Sequence, residues 1–149
     1  MRRMLKRVVA IGSCSAVIGL GLVGGPLAGS ALAVPCGSGN NTYSGGQGAT
    51  ESPYLLGSAS DITDLKDESG DWGCVYALTS NVDMGGVTWS AEAIGIEGTA
   101  FTGTFDGGGY TVTGLTVDGG ESDDYLGFFG VTNGATISNL GLEGIDVSG

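Results

Sequence analysis

Apolar and polar positions alternate over short stretches along the second half of the chain, and glycine or asparagine interrupts them at close intervals. Thr111-Val112-Thr113-Gly114-Leu115-Thr116-Val117 reads as two strands around a glycine corner. The same design recurs in Thr136-Ile137-Ser138-Asn139-Leu140-Gly141-Leu142, each position 25 residues on. The acidic residue and the next glycine also match, Asp118 with Glu143 and Gly119 with Gly144. Gly103 and Phe105 align with Gly127 and Phe129 at a spacing of 24. A period in the twenties is the mark of a chain wound into stacked coils, because one coil cannot bury its inward side chains alone. This register predicts Val112 over Ile137, Leu115 over Leu140 and Val117 over Leu142, with Phe101, Phe105 and Phe129 in the core. An antiparallel sandwich with glycine-rich hairpins is the alternative. Upstream, "VYALTSNVDM" is strand-like. Ser60 is a candidate helix cap, with Asp61 in the first turn and Ile62 and Leu65 on one face. The stretch "VTWSAEAIGIEGTA" reads as an insertion or wider loop.

The N-terminus has a different pattern. Arg2, Arg3, Lys6 and Arg7 precede an apolar run that ends in Ala31-Leu32-Ala33. Small residues at these positions suit signal peptidase, which predicts a Sec-type signal over 1–33, cut between Ala33 and Val34. Glycines and Pro26 interrupt the apolar run and argue against a membrane anchor. A lipoprotein reading through Cys14 has few apolar residues ahead of the cysteine.

Export changes the composition that matters. The whole chain has 149 residues, 31 glycines, no histidine and a formal charge of −11. Without the signal, Lys66 stands alone against 16 acidic side chains. So acidic a surface repels nucleic acid and anionic membranes, which predicts no nucleic-acid partner and no membrane insertion after cleavage. Cys36 and Cys74 remain, and two cysteines in an exported chain suggest one disulfide. The spacing supports no zinc site.

The order "PYLLGSASDITDL", "YALTSNVDMGG", "WSAEAIG", "FTGTFDGGGYTVTGLTV", "LGFFG" and "ATISNLGLEGIDVSG" resembles bacterial GLUG-motif proteins. That pattern also occurs in non-catalytic regions of some immunoglobulin A peptidases and in large surface adhesins. The resemblance covers about residues 53–149 and implies a right-handed parallel β-helix, an all-β solenoid whose N-terminal cap, 53–74, holds the Ile62/Leu65 helix. Residues 34–52 precede it as a flexible Gly/Ser/Asn-rich lead-in. Phe128 departs from the family's "GLFG", which has leucine in that apolar slot. The chain is expected to be the front part of a longer solenoid.

Candidate chemistry is sparse. Parallel β-helices that cleave acidic polysaccharides typically use a basic residue or a cation-assisted carboxylate cluster. The mature chain has no Arg or His, and H-E-x-x-H proteolysis needs histidine. No catalytic residue and no cofactor are expected. Asp123 and Asp124 are adjacent on an extended stretch and point apart, unlike a glycosidase pair. Asp118, Glu121, Asp123 and Asp124 are weak candidates for calcium, since oxygen-rich loops suit a hard cation, but no EF-hand or nonapeptide motif frames them. Asp106, before three glycines, reads as a turn former. Tyr110, Tyr125, Trp72 and Trp89 are candidates for a sugar-binding face, although scattered aromatics in a solenoid more often pack or cover edges. The leading functional expectation is a secreted or cell-surface protein with a structural or adhesive role toward a host, matrix or glycan ligand. The alternatives are a non-catalytic N-terminal module of a large secreted peptidase or polysaccharide-active enzyme, and a carbohydrate-binding module.

Overall fold

Residues 36–37, 43–90, 93–120 and 125–149 are described by the computed structural model. The signal-peptide positions, including Ala33 and Val34, lie outside them, as do Glu121, Asp123 and Asp124. In chain order the elements are β1 (Tyr54–Leu56), α1 (Ala59–Asp67), a 3-10 turn (Ser69–Asp71), β2 (Val75–Leu78), β3 (Val82–Asp83) and β4 (Thr88–Ser90). Then follow β5 (Thr104–Asp106), β6 (Thr111–Thr113), β7 (Thr116–Asp118), β8 (Thr136–Ser138), β9 (Gly141–Glu143) and β10 (Asp146–Ser148).

The strands are short because corners end them. Gly114 separates β6 from β7 and Gly144 separates β9 from β10, at φ of 72° and 58°. Asn139 fills the equivalent corner between β8 and β9 at φ 53°, a conformation asparagine tolerates better than most side chains. In β4, β5, β6 and β7 the middle residue faces inward. Phe105, Val112 and Val117 are fully buried, while their neighbours are only partly so or exposed.

Three sheets result, ordered β1-β2-β5-β8, β3-β6-β9 and β4-β7-β10. Every pairing between these strands is parallel. Parallel neighbours cannot be joined by tight hairpins, so the antiparallel sandwich is set aside. From β2 onward, consecutive strands instead lie on different sheets, and the chain returns to each sheet after a long excursion.

The length of that excursion corrects the predicted register. Val82 pairs with Val112 and Val112 with Leu142, a stride of 30 residues each time. Val117 pairs with Val147, and Phe105 pairs with Ile137. Val112 therefore lies beside Leu142, not Ile137, and Val117 beside Val147, not Leu142. The reason is visible in the last three strands, whose inward positions Ile137, Leu142 and Val147 are five residues apart. Each strand-and-corner unit resembles the next, so an alignment at 25 is one unit short of the pairing at 30. At 30, Gly114 meets Gly144 and Leu115 meets Ile145, and Asp146 N donates to Leu115 O at 2.9 Å.

Phe129 is likewise displaced. It bridges in parallel to Ile94 rather than to Phe105, and Phe101 bridges to Thr132. The expected insertion thus begins with a proper strand, β4, and continues into a side of its own along 128–132. Phe129 still packs on the core, with its ring 5.5 Å from that of Phe105.

The N-terminal end is closed. Ser58, not Ser60, caps α1, and its hydroxyl and the Asp61 carboxylate form a reciprocal capping box. Ile62 and Leu65 are fully buried, as their spacing predicts. The described part of the lead-in is held rather than loose. Ser44 N donates to Leu55 O and Leu55 N to Gly45 O, so 44–45 run against β1, and Tyr43 is buried.

Candidate functional site

The disulfide is present. Cys36 and Cys74 are bonded, with their Cα atoms 5.7 Å apart. It pins the segment before β1 over a cluster of tyrosines, Tyr43, Tyr54 and Tyr76, whose ring centroids lie 4.5–5.8 Å apart. Their hydroxyls are all engaged. Tyr43 donates to Asp71 Oδ2 at 3.3 Å, Tyr76 to the Asp71 carbonyl at 2.6 Å, and Tyr54 to the Cys36 carbonyl. Burial, with the neighbouring Asp71 and tyrosines, pushes the Tyr76 phenol far above its ordinary range, so these rings serve as neutral packing groups. Trp72 is buried too and donates from Nε1 to Leu65 O. The tyrosines, Trp72 and the disulfide together close this end over the core.

The opposite layer is less covered among the described residues. β8, β9 and β10 are the last strands of their sheets. Their inward side chains Ile137, Leu142 and Val147 keep 41%, 45% and 47% of their surface exposed, whereas Phe105, Val112 and Val117, one strand deeper, keep none. Ile137 and Leu142, expected as core, are therefore half-covered, because each packs against one neighbouring strand instead of two. Leu140 is partly buried, and Leu115 is fully buried. Val147 was not foreseen, although the spacing of five that links it to Leu142 is present in the sequence.

The polar candidates scatter. Asp118 is exposed at the end of β7, between Ser90 and Ser148 in neighbouring strands. The described residues hold no group of three or more His, Cys, Asp or Glu placed to grip a metal ion, and the other three acids of the calcium reading fall outside them. Of the four candidate sugar-stacking aromatics, Trp72 and Trp89 are buried, while Tyr110 and Tyr125 are exposed. Trp89 lies against Phe128 at 5.6 Å.

Asp106 has more structure around it than a turn former needs. Its Oδ1 accepts from Gly108 N at 2.9 Å and from Asn139 Nδ2 at 3.0 Å, the latter from the corner stacked beside it. These bonds, Asn139 foremost, hold its carboxyl below the ordinary carboxylate range. Gly109 N donates to Asn139 O and Gly141 N to Tyr110 O, so the chain at Tyr110 runs beside the Asp106–Asn139 pair and the three share one corner. The sequence pattern did not show this grouping, since the 25-residue register places Asn139 beside Gly114.

No known family model matches the chain, and no solved structure matches it. Two curated proteins are similar. A "Putative Gly-rich membrane protein" of Evansella cellulosilytica is 30% identical over 112 residues, covering 70% of this chain and 12% of that protein. A "Halomucin" of Haloquadratum walsbyi is 33% identical over 109 residues, covering 70% of this chain and 1% of that protein. The chain thus spans a small fraction of the relatives it matches. Among its described residues no helix is long and apolar enough to cross a membrane.

Proposed function

We propose that this protein is an exported, non-catalytic, right-handed parallel β-helix with a structural and adhesive role at the cell surface. The observation that carries the reading is the parallel return of the chain to three sheets at a stride near 30 residues. Coils stacked at strand-pairing distance, about 4.8 Å per layer, form a stiff rod. Such a rod presents partner-binding surfaces at a distance from the cell without moving parts. The disulfide suits an oxidising compartment, and the cationic, apolar N-terminus ending in Ala31-Leu32-Ala33 supplies the export signal. The residue order that resembles GLUG-motif proteins, and relatives named as a membrane protein and a halomucin, point to the same location.

A second reading also has support. A similar stretch lies in two much longer proteins, at 12% and 1% of their lengths, which fits a non-catalytic module carried by a larger chain, such as a large secreted enzyme.

Protease shaving of intact producing cells, with mass spectrometry of the released and retained fractions, tests the proposal. A surface or medium fraction beginning at Val34 is the expected result. A chain retained inside the cell with residues 1–33 attached contradicts it.

A further inference from the structure

We infer that the corner formed by Asp106, Tyr110 and Asn139 is a binding site for an uncharged pyranose of a glycan. The inference deepens the adhesive reading by naming a ligand class, and rests on it only for the corner's access to the outside.

Three features of the corner favour a sugar. The first is an aromatic platform, since Tyr110 keeps 38% of its surface exposed although most aromatic rings of this protein are buried. An aromatic face suits the C–H face of a pyranose, as sugar and cofactor sites combine apolar rings with a few placed polar groups.

The second is a bare shelf beside the ring. Gly108 and Gly109 both have positive φ, 59° and 80°. A Cβ on Gly108 would lie 3.2 Å from Tyr110 Cδ2, so the ring lies close over glycine backbone, and a Cβ on Gly109 would meet nothing within 4 Å. Side chains at these positions would crowd the ring or occupy the open space next to it.

The third is a set of fixed polar groups around the shelf. Asp106 uses Oδ1 for Gly108 N and Asn139 Nδ2, and Oδ2 remains to accept from a ligand hydroxyl. Asn139 Nδ2 has a second hydrogen to donate. The backbone is held from both sides. Asn81 Oδ1 accepts from Thr111 N at 3.0 Å on one flank, while Gly109 N donates to Asn139 O at 2.9 Å on the other. Tyr110 N also donates to Gly107 O, and its carbonyl accepts from Gly141 N. A site held this firmly orders little on binding, which lowers the entropic cost of capturing a sugar unit.

Charge selects among sugars. With Lys66 the sole cation after signal removal against 16 acidic side chains, uronic, sialic and sulfated residues are repelled. Uncharged hexoses fit.

The test is a glycan array probed with the chain purified from its source cells, followed by calorimetric titration of a binding sugar. Wild type should bind uncharged glycans, and sialylated or sulfated ones more weakly. Tyr110→Ala and Asp106→Ala should each weaken binding by roughly tenfold or more. Tyr110→Phe should retain it, which keeps the test valid if the alanine variants melt early. No binding to any uncharged glycan, equal binding by Tyr110→Ala with its melting curve unchanged, or a preference for anionic glycans would overturn the inference. A surface-located protein that binds no sugar sinks this inference alone. Sugar binding by a protein confined inside the cell sinks the surface reading alone.

Discussion

Asp61 is buried yet charged, and four hydrogen bonds explain how. Burial alone would push its carboxyl up. Donation from Gly57 N, the Ser44 hydroxyl, and the hydroxyl and backbone N of Ser58, all to Oδ2, outweighs that and leaves the pKa lowered. The folded-state value lies below the unfolded one of about 3.9. The carboxylate therefore contributes stability above about pH 4, and that contribution fades as pH falls through the folded value. Asp61→Ala should cost about 1–3 kcal/mol near neutral pH by orphaning these donors. Urea unfolding as a function of pH should show the gap between the two proteins closing in acid. Two aliphatic positions test burial in the same way. Leu115→Ala should cost about 2–5 kcal/mol, because a fully buried leucine leaves a cavity. Leu142→Ala should cost clearly less, below about 1.5 kcal/mol, since nearly half of that side chain is already in water. Equal losses in chemical denaturation would mean that a layer covers β9.

At the scale of elements, the cap depends on one covalent bond. The Cys36–Cys74 bridge ties a loop across a sequence separation of 38 residues, worth up to about 4 kcal/mol on the chain-entropy view. Reducing agent should lower the melting temperature, and thiol titration of the native, unreduced protein should find neither cysteine. Two free thiols without denaturant would contradict the bridge. Much at this scale was legible in the sequence. Ile62 and Leu65 announced the buried face of α1, the two cysteines their pairing, and glycine and asparagine the corners. Ser58 was missed as the cap because Ser58 and Ser60 are both chemically suited, and only the path of the chain out of β1 chooses between them. The order along 43–52 was hidden because a glycine-rich, polar stretch owes its fixed course to partners on β1 and the disulfide, not to its own composition. The Tyr110 corner was half legible. The exposed ring and the turn aspartate were noted separately, but only the true stride brings Asn139 to Asp106.

For the whole molecule, the return of the chain to parallel strands was readable and the length of that return was not. A short repeating unit tells the reader that the chain comes back, whereas the length of the return depends on how many units make a circuit. Here five-residue units match equally well at several offsets, and the segment 93–101, with its own side along 128–132, lengthens the circuit without leaving a repeat. Deep burial of Phe105, Val112 and Val117 beneath half-exposed Ile137, Leu142 and Val147 follows from that stride. The central claim is the stride. Nuclear Overhauser contacts between backbone protons of isotope-labelled protein measure it directly, because paired parallel strands lie about 4.8 Å apart. The account predicts contacts that place Val112 between Val82 and Leu142, and Val117 between Trp89 and Val147. Contacts joining Val112 to Ile137 instead, or an antiparallel pattern, would contradict it.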